Sequence, residues 1–190
     1  LTGQAAGVLA ALSVKQNKQA REIGVRTVQE VLLKEKAYIM PYFDVRADQK
    51  HFAAVQRIGA TGILKGTGEP YKWANRTWFY PDSTIGSATF ANDYKEFVEM
   101  NFTSSTVSIA DAVATLTVTA KRFPVLQKNS NWNFLNSSQL QKQIAAQWQN
   151  WGFVNFNLQR SITRLELAVL LDAVINPFQL KAIDHEGHYK

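Results

Sequence analysis

The chain has 190 residues, of which 46% are hydrophobic and 19% charged, with a formal net charge of +6 and no cysteine. Such a length and hydrophobic content support one domain or two small ones and exclude global disorder, while Lys and Arg scattered without a nucleic-acid motif exclude nucleic acid as an expected partner. The missing cysteines exclude disulfides, thiolate zinc sites and cysteine nucleophiles, and no apolar run reaches the length of a membrane-spanning helix.

The first predicted element is a helix from Gln4 to about Gln16. Its opening, "GQAAG", puts small residues where a neighbouring element or ligand could approach closely. A polar break, "KQNKQAREIG", separates it from a second helix carrying Val25, Val28 and Leu32 at helical spacing. Pro41 disfavours the α region at Met40 and marks the clearest boundary in the chain. Phe52, Val55 and Ile58 then form a helical stripe, and Gly62 and Gly66 bracket a short apolar turn or strand.

"WANRTWFYPDSTIGSATF" reads as an aromatic loop turning at Pro81-Asp82, followed by a helix near Ala88 to Met100. Ile109, Val113, Leu116 and Ala120 mark the next helix, with Ser108 and Asp111 as its capping box. Leu140, Ile144, Trp148 and Trp151 mark another, with Ser138 and Gln141 at its start. The last, in "SITRLELAVLLDAVINPF", is capped by Thr163 and Glu166 and stops before Pro177. It is apolar almost all round, with Asp172 its one interior charge, which predicts a place in the middle of a bundle. The fold is thus predicted to be mainly α, with short β pieces in loops at most.

Two groups of residues resemble known families. "FDV", "HFAAVQRIGATGILKG" and "WFYPDSTI" resemble the opening of an S-layer homology repeat, which normally continues into an Ile-Thr-Arg-Ala-Glu helix start. The first repeat gives "IGSATF" at that point, whereas "SITRLE" supplies Ile162, Thr163, Arg164 and Glu166 in the second half. This resemblance spans roughly residues 43 to 175, with an irregular insert around Arg122 to Asn136. It implies a helical bundle of helix-loop-helix repeats.

Residues 1–41, "GQAAGVLAALSVKQN" with "REIGVRTVQEVLLKEKAYIMP", are similar to the end of the FAD-binding region in a bacterial family of FAD-dependent oxidoreductases, some of whose members are labelled xanthan lyase. The resemblance implies that Gly3, Gln4, Ala5, Ala6 and Gly7 close over the flavin of an intact parent, where a helix N-terminus suits an electron-rich or anionic group. The Gly-x-Gly-x-x-Gly loop that cradles a pyrophosphate lies nowhere in the chain, so FAD is expected in the parent protein and no cofactor for this chain alone. The chain is accordingly expected to be a fragment whose partner is a missing N-terminal FAD-binding domain. Residues 1–41 are then the tail of that oxidoreductase region, 42–178 the S-layer-homology-like module, and 179–190 a C-terminal tail. A periplasmic, cell-surface or secreted location in a bacterium follows from the resemblance only.

Each candidate residue has a functional and a structural reading. In the S-layer homology family the "TRLE" motif serves binding to cell-wall polysaccharide, with Arg164 pairing an acidic substituent; structurally, Thr163 and Glu166 cap a helix and Arg164 makes an ion pair or packs over the bundle. Trp73, Trp78 and Tyr80 could stack on sugars or be buried. "HEGH", from His185 to His188, lacks the further ligands a metal needs and reads as a frayed tail. His51 opens a helix without an evident partner, and Asp44, Asp48 and Asp82 read as turn and cap residues. No nucleophile, base and orienter can be assembled from spacing, so no catalytic or metal residues are assigned. The leading expectation is a non-catalytic C-terminal helical module for structural support, assembly or cell-surface attachment. The alternative is a carbohydrate-binding module for acidic or cell-envelope polysaccharide.

Overall fold

A computed structural model describes residues 2–128 and 131–190. The helices are α1 (Thr2–Gln16), α2 (Val25–Lys34), α3 (Phe52–Ala60), α4 (Ser87–Tyr94), α5 (Ile109–Arg122), α6 (Val125–Lys128), α7 (Ser137–Trp148), α8 (Arg164–Val174) and α9 (Pro177–Leu180). A short 3-10 turn, Ala20–Glu22, precedes α2, and two strands, β1 (Thr67–Tyr71) and β2 (Ala74–Trp78), form an antiparallel hairpin. The architecture is mainly α, as the periodicities predict.

The starts of α4, α5 and α8 are tied together in a closed ring of three. Thr84 bridges Thr163, Thr106 bridges Gly86, and Ser161 bridges Ser108, so each segment pairs with both others. A helix leaves its first backbone N–H groups without partners inside the helix. Here the first residue of each helix donates to the neighbouring segment: Ser87 N to Ser105 O at 2.9 Å, Ile109 N to Arg160 O at 3.0 Å, and Arg164 N to Ser83 O at 2.8 Å. Between the paired positions, Ile85, Val107 and Ile162 are 3%, 0% and 0% exposed. The repeat resemblance points to two such helix starts, at "IGSATF" and "SITRLE"; "SSTVSIAD", predicted as a helix start from its capping box alone, joins them as a third.

Helix α8 occupies the centre, as its all-round apolar pattern predicts. Leu167, Ala168, Leu170 and Leu171 are all fully buried, and each buried leucine contributes about 2 kcal/mol. Its capping box forms, with Glu166 N donating to Thr163 Oγ1 at 3.2 Å and Thr163 N donating to Glu166 Oε2 at 2.9 Å. The Ser108–Asp111 box at the start of α5 forms in the same way. Asp172 is turned to Arg57 of α3 at 3.0 Å, and Arg57 also holds Glu30 of α2 at 2.8 Å. That triad fastens α2 to the body. Burial pushes the Asp172 carboxyl up from its ordinary range, against the opposing charge of Arg57.

Several expectations are corrected. No described residue of α1 is buried, and nothing lies within 4 Å of a Cβ built on Gly3 or Gly7, so the small residues do not mediate close packing. The stretch "ANRTW" in the expected aromatic loop is strand β2, because a two-residue turn at Lys72 and Trp73 lets it pair with β1. Helix α4 stops at Tyr94 rather than near Met100, where the chain turns Phe97 back into the core. The N-cap of α7 is Asn136, whose side chain accepts from Gln139 N, in place of the expected Ser138 start. The C-terminal tail is docked instead of frayed. Ile183 bridges Tyr189, and the Tyr189 hydroxyl donates to Thr61 O at 2.6 Å.

Thr163→Ala removes the side-chain cap of α8 and leaves the backbone bridge to Thr84 in place, so it is expected to destabilise the protein by about 1 kcal/mol in urea unfolding. An unchanged midpoint would show that the cap is not energetically significant.

Candidate functional site

Arg164, the candidate for acidic sugars, is the first residue of α8. Its position beside the hairpin is set by the ring of helix starts. Its Nε donates to Phe79 O at 2.6 Å and its Nη2 to Lys65 O at 2.7 Å, with the guanidinium 4.8 Å from the Phe79 ring centroid. Asp44 grips the same loop from the other side, accepting from Phe79 N at 2.8 Å and Tyr80 N at 2.7 Å. One peptide segment, Phe79–Tyr80, is therefore held by an acid through its N–H groups and by a base through a carbonyl. Burial lowers the Arg164 pKa, while nearby Tyr42 and Asp44 oppose that shift. The ion in this site is already committed to the fold, which matches the structural reading of Arg164 in kind, with carbonyls in place of the expected carboxylate.

The aromatic candidates separate. Trp78 and Tyr80 stack on each other with centroids 5.9 Å apart and planes inclined by 17°. Phe43 packs on Trp78 at 5.1 Å. Trp73 stands alone at the hairpin turn and is 94% exposed. Arg76, which the sequence gave no reason to single out, lies 3.4 Å from the Tyr71 ring centroid and 4.0 Å from that of Phe43. Alternating aromatic and polar residues in "EPYKWANRTW" carry the signal that could have identified this hairpin face.

Gly3, Gln4, Ala5, Ala6 and Gly7 lie along the first turns of α1. Ala5 and Ala6 border a groove of about 820 Å³ between α1 and α2, together with Leu9, Val28, Leu32 and Ile39. The groove is apolar, and Arg21 and His185 lie at its edge. Nothing in this lining resembles a pyrophosphate cradle.

The remaining titratable candidates have structural partners. His51 Nε2–H donates to Trp151 O at 2.7 Å and its ring stacks on Phe153, so the expected lack of a partner is corrected. Burial lowers its pKa and favours the neutral ring. Asp48 pairs with Arg46 at 3.1 Å on the surface. In the tail, Asp184, Glu186 and His188 place one ligand atom each within 4.8 Å of one another. Asp184 Oδ1 accepts from Glu186 N and His188 N, both at 2.9 Å, and so closes the turn. His185 is directed elsewhere, to Arg21 O at 2.8 Å. The "HEGH" stretch therefore sends its two histidines to different partners.

The chain matches no family profile, no curated protein and no solved structure. Among the described residues, no helix is long and apolar enough to cross a membrane.

Arg164→Lys keeps the charge but cannot reach two carbonyls with a planar fork. It is expected to lower stability by about 1 kcal/mol, read as a shift in the thermal or urea midpoint. A variant as stable as the parent would show that the guanidinium is not needed for the loop and would return it to ligand binding.

Proposed function

We propose that the chain is a non-catalytic helical module of a FAD-dependent oxidoreductase, and that its α1–α2 face supports and orients the flavin-binding domain. The observation that carries this reading is the apolar groove between α1 and α2. Apart from His185, its lining lies within residues 1–41, the segment whose sequence resembles the end of a FAD-binding region. The core runs on from Leu33 of α2 to Ile175, and with the Glu30–Arg57–Asp172 triad it gives that groove a firm base. A scaffold needs an open face on a firm body, and both are present.

The three tied helix starts support the further proposal that the body is built from S-layer-homology-like repeats. A glycan-binding role in the same body would have to rely on Trp73, since Arg164 is spent on Phe79 and Lys65, and Trp78 and Tyr80 cover each other. The scaffold reading uses the larger surface and is preferred.

On this reading the chain alone supplies one wall of a flavin site and no phosphate loop. Titration with FAD is expected to leave both flavin fluorescence and the protein's melting temperature unchanged. Saturable binding at micromolar FAD would overturn the assignment of a support role, because the chain would then hold a flavin site by itself.

A further inference from the structure

The exposed indole of Trp73 is the most conspicuous surface feature of the hairpin, and its surroundings define what it could meet. The strands are in register from Thr67 opposite Trp78 to Tyr71 opposite Ala74, which leaves Lys72 and Trp73 as the turn. Lys72 has a φ of 53°, a left-handed conformation that glycine adopts without penalty and lysine does not. Behind the turn, rings and cations interleave: Tyr71, then Arg76, then Phe43, then Trp78, then Tyr80. This ladder pairs each of its rings with a neighbour, although Tyr71 and Phe43 stay partly exposed. Trp73 is left beyond it at 94% exposure, next in sequence to Lys72.

The charge is distributed to match. Glu69 is the one acidic residue in the hairpin sequence, against Lys72 and Arg76, and it accepts from the Tyr80 hydroxyl. Lys72 Nζ lies 5.5 Å from the Tyr71 ring centroid and remains at the tip. The whole chain adds a net charge of +6. A polymer that binds by stacking, whether a glycan or a single-stranded nucleic acid, needs several open ring faces in a row. Here Tyr71 and Phe43 are each engaged by Arg76 while staying partly exposed, and Trp78 and Tyr80 stack on each other, so Trp73 is the one nearly fully exposed ring of the hairpin. A single exposed amphipathic ring next to a lysine, on a basic chain, instead suits the headgroup layer of a bilayer, where indole is favoured and anionic lipids attract Lys and Arg.

We propose that the tip of the β1–β2 hairpin is a peripheral anchor for anionic lipid surfaces, with Trp73 entering the headgroup layer and Lys72 and Arg76 pairing with lipid phosphates. The inference is independent of the flavin-domain reading, since the hairpin and the α1–α2 groove share no residue.

The test is co-sedimentation of the full chain with vesicles of phosphatidylcholine alone, and of phosphatidylcholine with phosphatidylglycerol. The expected result is binding to the anionic vesicles only, weakened by salt. Trp73→Ala removes an exposed side chain, so it should leave the melting temperature unchanged while reducing partitioning about tenfold. Lys72→Gly should preserve or raise stability, because it relieves the left-handed φ, yet reduce partitioning about fivefold. A purely structural turn residue would not separate those two readouts. The proposal is overturned by equal binding to both vesicle types or by binding to neither. It also falls if either variant partitions like the parent, or if Trp73-dependent retention appears on a polysaccharide resin and not on vesicles.

Discussion

Three backbone hydrogen bonds, each from the first residue of a helix to a carbonyl of the next segment, set the geometry of this protein. They solve a local problem, the unpaired N–H groups at a helix start, by a tertiary route. Because the bonds form a ring, they fix the directions of α4, α5 and α8 relative to one another at once. The residues between them, Ile85, Val107 and Ile162, meet in the interior and begin the core that runs along α8. Arg164 itself donates one of these three bonds, so its side-chain grip on Phe79 follows from the same constraint. The hairpin is positioned in turn by that grip and by Asp44.

Much of this was legible in the sequence where the physics is local. Capping boxes depend on residues three apart, and both predicted boxes at Ser108 and Thr163 form. Helical stripes such as Phe52, Val55 and Ile58 are buried as their spacing requires. The central place of α8 followed from its lack of a polar face. The helix start at Ser108 was predicted from its capping box, but its equivalence to the other two was not, because "SSTVSIAD" shares only small polar and β-branched residues with its counterparts. What makes the three equivalent is backbone pairing, which leaves little trace in side chains. Small residues in "GQAAG" misled for the converse reason: Gly and Ala permit close approach but do not compel it.

The candidate surfaces were legible in part. Residue type drew attention to Arg164 and to the aromatics around it, yet spacing could not say which rings would pack on one another. Trp73 and Trp78 are five residues apart in sequence, and only the turn at Lys72 decides that one is stacked and the other left outside. Arg76 acquires its role from the cross-strand register, through rings on either side of it. His51 and His185 likewise found carbonyl partners that lie far away in the chain. Such partners are invisible until the helices are placed.

The ring of helix starts also has a kinetic consequence. Its closing bridge joins Thr84 to Thr163, roughly 80 residues apart, so the chain entropy of a long loop must be overcome before the last of the three pairings forms. Two of the segments, at Gly86 and Thr106, are neighbours in sequence and can meet early. Their pairing offers an incomplete edge with unpaired backbone groups until the third segment arrives. Folding of this mainly helical protein should therefore be paced by a contact of the kind that slows β-rich domains, and its nascent form should be most exposed to mispairing during synthesis, while residues 84–109 have emerged and residue 163 has not.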